Sequence, residues 1–110
     1  MKSMSITPAS QGGLLPVLPE GLVIVDVRTP AEYATGHLVG ALLLPHETAT
    51  ESLSQLVPDL ATPIALYCRG GRRAGIVLEE MKKLGYTRVE NWGGFEDLTK
   101  THAYVRPSSE

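Results

Sequence analysis

Cys68 is the only cysteine among 110 residues, and the next five positions, Arg69-Gly70-Gly71-Arg72-Arg73, hold three arginines and two glycines. A thiol becomes a good nucleophile when it ionises. Cationic neighbours and a helix N-terminus promote this by bringing cysteine pKa values down to about 3.5–7.5. The flanking residues predict such a setting. Ile64 to Tyr67 is a short apolar run, suited to a strand buried on both faces of a parallel sheet. From about Arg72 the pattern turns helical, with Ile76, Val77, Met81 and Leu84 at three- and four-residue steps. Lys82 and Lys83 suit the last turn and Gly85 the stop. Cys68 therefore stands where a strand hands over to a helix N-terminus. Gly70 and Gly71 let the loop curl so that several N–H groups face one point, an anion-binding nest. The chemistry is a thiolate attacking an anionic substrate. A buried strand-end cysteine with solvated arginines is the plainer interpretation; the joint occurrence of strand, cysteine, glycine pair and arginines weighs against it.

Other elements must hold this loop. Leu22 to Asp26 is a continuous β-branched run ending on a carboxylate. Ligands of open α/β sheets bind outside the carboxyl ends of strands, so Asp26 and Cys68 are expected on one edge. Asp26 is a candidate to hold the loop by accepting backbone or arginine hydrogen bonds; a plain strand-end cap is the alternative. Thr29 and Pro30 open a short helix with Glu32 near its positive end, and Arg28 is placed to pair with Glu32. His37 follows the helix-ending Gly36. Histidine titrates near neutrality, but a loop-activated thiolate needs no base, so His37 is read as fixing the turn. His46 is read as a solvent-facing loop residue.

The remaining pattern alternates strand and helix. Ala41 to Leu44 reads as a strand, Glu47 to Leu60 as a helix broken by Pro58, Tyr86 to Asn91 as a last strand, and Trp92 to Lys100 as a turn into a short helix. Trp92 and Phe95 are expected in the core or the site wall. Residues 1–5 read as a flexible start, Ser5 to Pro8 as an edge strand with a helix capped by Thr7, and residues 102–110 as a polar tail. This alternation argues for an α/β fold with a mainly parallel sheet and helices on both faces.

The chain length suits one domain, residues 1–110. Net charge is −2, hydrophobic content 43% and charged content 20%, which favours neither a nucleic-acid nor a membrane partner. No run approaches the roughly 18–20 apolar residues of a membrane span, and no signal peptide is evident, so a cytoplasmic location is expected. One cysteine forbids an internal disulfide and a resolving cysteine; a modified Cys68 must be discharged by another molecule. No His/Cys spacing suggests a metal site.

The segment CRGGRRAG resembles the active-site loop of the rhodanese (thiosulfate sulfurtransferase) family, in which a cysteine opens a six-residue loop, here Cys68 to Arg73. Asp26 to Ala41, DVRTPAEYATGHLVGA, resembles a second signature of that family, and Gly93 to Phe95, GGF, its C-terminal one. The resemblance implies a doubly wound α/β fold with a five-stranded, mainly parallel sheet, no cofactor, and a thiosulfate sulfurtransferase. It implies Cys68 as the persulfide carrier, with Arg69, Gly70, Gly71, Arg72 and Arg73 binding the donor, Arg72 being the one that points to solvent. It makes Asp26, Arg28 and Glu32 supports of the site. Thiosulfate is the implied donor, since mercaptopyruvate enzymes of the family tend to carry less cationic loops. A thiol, cyanide or a thioredoxin-like protein is the implied acceptor, and a monomer or weak homodimer the implied state. After GGF the family often carries a tryptophan where this chain has Leu98, so the pocket wall departs there. A phosphatase or arsenate reductase needs C-x-x-x-x-x-R, which puts Ala74 at the arginine position. A rhodanese-like binding or sulfur-relay module is the other alternative, and retention of the cysteine favours catalysis or relay over plain binding.

Overall fold

The computed structural model describes residues 4–7 and 18–107. In chain order the elements are β1 (Met4–Thr7), β2 (Val23–Asp26), α1 (Pro30–Ala34), β3 (His37–Leu38), β4 (Leu42–Leu43), α2 (Ala49–Leu56), β5 (Ile64–Cys68), α3 (Arg72–Lys83), β6 (Val89–Gly94), α4 (Phe95–Leu98) and β7 (Tyr104–Pro107). The central sheet runs β4-β2-β5-β6 with every pairing parallel.

All five residues of β5 are buried, and this is why the run is apolar throughout. Successive side chains of a strand point to opposite faces. Ile64, Leu66 and Cys68 accordingly join a core with Ala49 and Leu53 of α2 and Ala74, Val77 and Met81 of α3. Tyr67 points the other way, into a core with Leu38, Phe95 and Leu98. Helices α2 and α3 cover the first face. On the second face α4 shares the cover with a small antiparallel sheet ordered β1-β7-β3.

Several expectations shift. The parallel sheet has four strands, not five: the N-terminal strand forms over Met4–Thr7, but it pairs with β7 in the second sheet. Its partner lies within the stretch read as a polar tail, where Tyr104 and Val105 supply residues that favour strands. Met4 and Ser5 are likewise strand residues rather than part of a flexible start; the helix expected after Thr7, and residues 108–110, lie outside the described residues. Helix α2 stops at Leu56 because Pro58 disfavours helical backbone at Val57, whose ψ is 77°. Among the described residues no helix is long and apolar enough to cross a membrane.

Leu53 is fully buried between the sheet and α3. Leu53→Ala is expected to lower stability by about 2–5 kcal/mol, read as a lower urea midpoint with an unchanged slope.

Candidate active site

Cys68 ends β5 with 1% of its surface exposed. Gly71 follows in the left-handed region, φ 96°, and caps α3 without any side-chain cap. The N–H groups of the first helical turn are therefore left for another acceptor. The Gly71 N–H donates to Cys68 Sγ at 2.9 Å. Burial alone would push the thiol pKa up. The backbone N–H groups of Ala74, Gly70, Gly71 and Arg73 pull it down and prevail, so the thiol ionises more readily than a free cysteine.

The loop is clasped from β6. Leu66 pairs with Asn91 and Cys68 with Gly94, so β6 carries one extra residue across this interval. This bulge places the two glycines of the GGF segment against the loop. A Cβ on Gly94 would sit 2.5 Å from the Arg69 carbonyl oxygen, so only glycine permits the approach. Asn91 locks the two turns together. Its Nδ2 donates to the Gly71 carbonyl at 2.9 Å, and its Oδ1 accepts from the Gly93 N–H at 2.8 Å. The strand and helix pattern of the sequence does not single out Asn91. An asparagine two residues before a Gly-Gly pair is its one local signal, since short amides bridge turns.

Two ion pairs brace the edge, with partners other than those expected. Asp26 is fully buried and grips Arg28, not the cysteine loop. It accepts from Arg28 N–H at 2.9 Å and Nη2 at 2.6 Å, and Nη2 also donates to the Gly36 carbonyl at 2.6 Å. The Arg28 guanidinium lies 4.6 Å from the centre of the Phe95 ring. Burial would lower the Arg28 pKa; the bond to Asp26 reverses this and raises it. With Arg28 so occupied, Glu32 pairs instead with Arg73, in a two-pronged contact of 2.8 and 3.1 Å. Glu32 also closes a capping box with Thr29 at the start of α1. The bond from Arg73 holds its carboxyl down to about 2. The Arg73 guanidinium in turn faces the Cys68 sulfur.

Arg69 and Arg72 are exposed. A cavity of about 370 Å³ lies beside the loop, lined by Arg28, Glu32, Thr35, Arg69, Phe95 and Glu96. Phe95 thus serves both core and site wall. Leu98 is core, so its difference from tryptophan falls behind this wall. Trp92 lines a separate cleft with Pro63 and Val89. His37 stacks on Tyr33 at 3.7 Å and its Nδ1 bonds the Tyr33 carbonyl, a turn-fixing contact. His46 is partly exposed beside Glu47. Among the described residues no cluster of potential metal ligands occurs.

Residues 16–101 match the family described as Rhodanese-like domain. The chain is 38% identical over 74 residues to the thiosulfate sulfurtransferase PspE of Escherichia coli, covering 67% of this chain and 71% of that protein. It is 31% identical over 84 residues to the thiosulfate sulfurtransferase GlpE of Pseudomonas entomophila, covering 76% and 75%. A solved structure described as rhodanese with anions from E. coli aligns with a TM-score of 0.66 at 37% identity, over 69% of this chain and 89% of that one.

Two outcomes follow from this geometry. Gly94→Ala is expected to displace the loop, costing about 1–3 kcal/mol and returning the Cys68 thiol toward its ordinary range, as read from the pH dependence of iodoacetamide alkylation. The Glu32 carboxyl lies at about 2 when folded against an ordinary 4.5. Its contribution is therefore complete above 4.5 and lost as pH falls toward 2. The stability difference between wild type and Glu32→Gln should shrink across that window in urea titrations.

Proposed function

The chain belongs to the rhodanese-like domain family, and from that premise we propose that it is a thiosulfate sulfurtransferase working through a Cys68 persulfide. The observation that carries this reading is the uncapped start of α3, with the Gly71 N–H 2.9 Å from the sulfur and a thiol pKa lowered by the loop amides. The relatives named thiosulfate sulfurtransferase support the donor.

In the first half-reaction the Cys68 thiolate attacks the outer sulfur of thiosulfate. A new S–S bond forms, the S–S bond of thiosulfate breaks, and sulfite leaves with the electron pair. The loop N–H groups hold the negative charge on the persulfide, as oxyanion donors do in acyl transfer. In the second half-reaction a thiophilic acceptor, cyanide or a thiolate, attacks the outer sulfur and Cys68 thiolate departs. A small thiol or a thioredoxin-like protein suits this step, because the chain has no second cysteine to resolve the persulfide. Two covalent half-reactions give ping-pong kinetics. Asp26 and Arg28 brace the edge and touch no reacting atom. A phosphatase is disfavoured because Ala74 stands six positions after Cys68, where the longer phosphate cradle carries its arginine.

Incubation with thiosulfate alone is expected to add one sulfur, about 32 Da, to the intact mass of the wild type and none to Cys68→Ser, with cyanide reversing the gain. No gain on pre-reduced wild type would remove thiosulfate as donor. The persulfidation rate should level off at a lower pH than an ordinary thiol allows, following the lowered Cys68 pKa.

A further inference from the structure

Gly71 opens α3 with no side-chain cap, at a φ of 96° that glycine enters and leaves at little cost. Its N–H is spent on Cys68 Sγ at 2.9 Å. A Ser, Thr or Asp at this cap would steady the turn, but by accepting from the N–H of Arg73 or Ala74. Both of those N–H groups face Cys68. The turn is steadied through its carbonyl instead. The Gly71 carbonyl accepts from the Gly75 N–H inside the helix at 2.9 Å and from Asn91 Nδ2 outside it at 2.9 Å. We propose that Asn91 is a positioning residue for sulfur transfer: its bond to the Gly71 carbonyl holds the first turn of α3 in place of a cap and leaves the N–H groups of that turn to Cys68. This rests on the sulfurtransferase reading and adds to it a residue outside the cysteine loop.

Strand register brings the amide there. Asn91 pairs with Leu66 across the parallel β5–β6 ladder. Partners across a ladder project to the same face, and Leu66 faces α2 and α3. Asn91 therefore emerges beside the start of α3, at the last regular pair before the bulge. Its Oδ1 accepts from the Gly93 N–H at 2.8 Å, which fixes the amide plane and turns Nδ2 toward the helix. The fit against α3 is close: a Cβ on Gly71 would lie 3.7 Å from Oδ1, and one on Gly75 3.5 Å from Nδ2. One short side chain thus joins the bulge of β6 to the helix start, with both ends of its amide in use. The residue is exposed, so core packing does not call for an amide there.

The test uses two variants. Asn91→Leu loses both bonds without adding charge. Asn91→Asp keeps the shape and the acceptor for Gly93 but has no donor for Gly71. The rate of Cys68 alkylation by iodoacetamide is followed against pH. In both variants the profile is expected to move up by about half to one pH unit, so that alkylation below the wild-type midpoint slows about 3- to 10-fold while the plateau at high pH stays. In Asn91→Asp the shift should persist in about 1 M salt, which screens the new charge within about 3 Å. Uptake of sulfur from thiosulfate should slow by the same factor. An unchanged profile with a lowered urea midpoint marks a bond that serves stability alone and overturns the proposal. A shift in Asn91→Asp that salt abolishes also overturns it, because the Gly71 bond is then not the cause. If the wild type takes no sulfur from thiosulfate, the sulfurtransferase reading fails, while the alkylation profiles still decide the role of Asn91.

Discussion

The first turn of α3 carries backbone N–H groups that no side chain caps, and the rest of the site is arranged around keeping them free. An Asp, Ser or Thr at the cap would satisfy those donors and add its own stability. Gly71 occupies that place instead, in a left-handed backbone that costs glycine little. The donors turn to the sulfur at the end of β5. Local helix stability is thus given up for a thiolate site, and the apolar face of α3, with Ala74, Val77 and Met81 buried, supplies what the cap does not.

Holding such a loop in place falls to a few interactions of unequal kind. The bulge in β6 and the two glycines of its end bring one backbone against another, and Asn91 ties them together. The ion pairs act at longer range. Asp26–Arg28 is buried, so removing either partner would strand a charge in a poor solvent for it, a cost of about 3–5 kcal/mol in comparable sites. Phe95, stacked on that guanidinium, is both the lid of this pair and a wall of the cavity. Glu32–Arg73 is half-exposed and worth less as stability. Its effect is to fix where a positive charge sits relative to the sulfur.

The parts legible in the sequence are those written in local pattern. The β5 run, the turn to helical period after it, and the Thr29-Pro30 helix start with Glu32 three residues past its cap all appear in the structure close to where the pattern put them. Partnership was harder to read. Arg28 and Glu32 are four apart, yet Arg28 pairs with Asp26 two positions before it, and only Glu32 finds its partner through the fold, Arg73 being 41 positions away. The bond from Asn91 to the Gly71 carbonyl, 20 positions away, exists only once β6 lies beside the loop. Residues 104–107 read as tail because a strand of four residues has little periodicity of its own. Its identity comes from β1 and β3 on either side.

The pairing of β1 with β7 sets Met4 opposite Pro107, nearly the whole chain apart. Closing so long a loop is entropically late, and long-range pairings slow folding. The parallel sheet, by contrast, joins segments closer in sequence. During synthesis β1 is made well before β7 and waits for it, edge unmatched. The antiparallel sheet is therefore expected to close after the parallel one, so that assembly runs from the nucleophile's sheet outward.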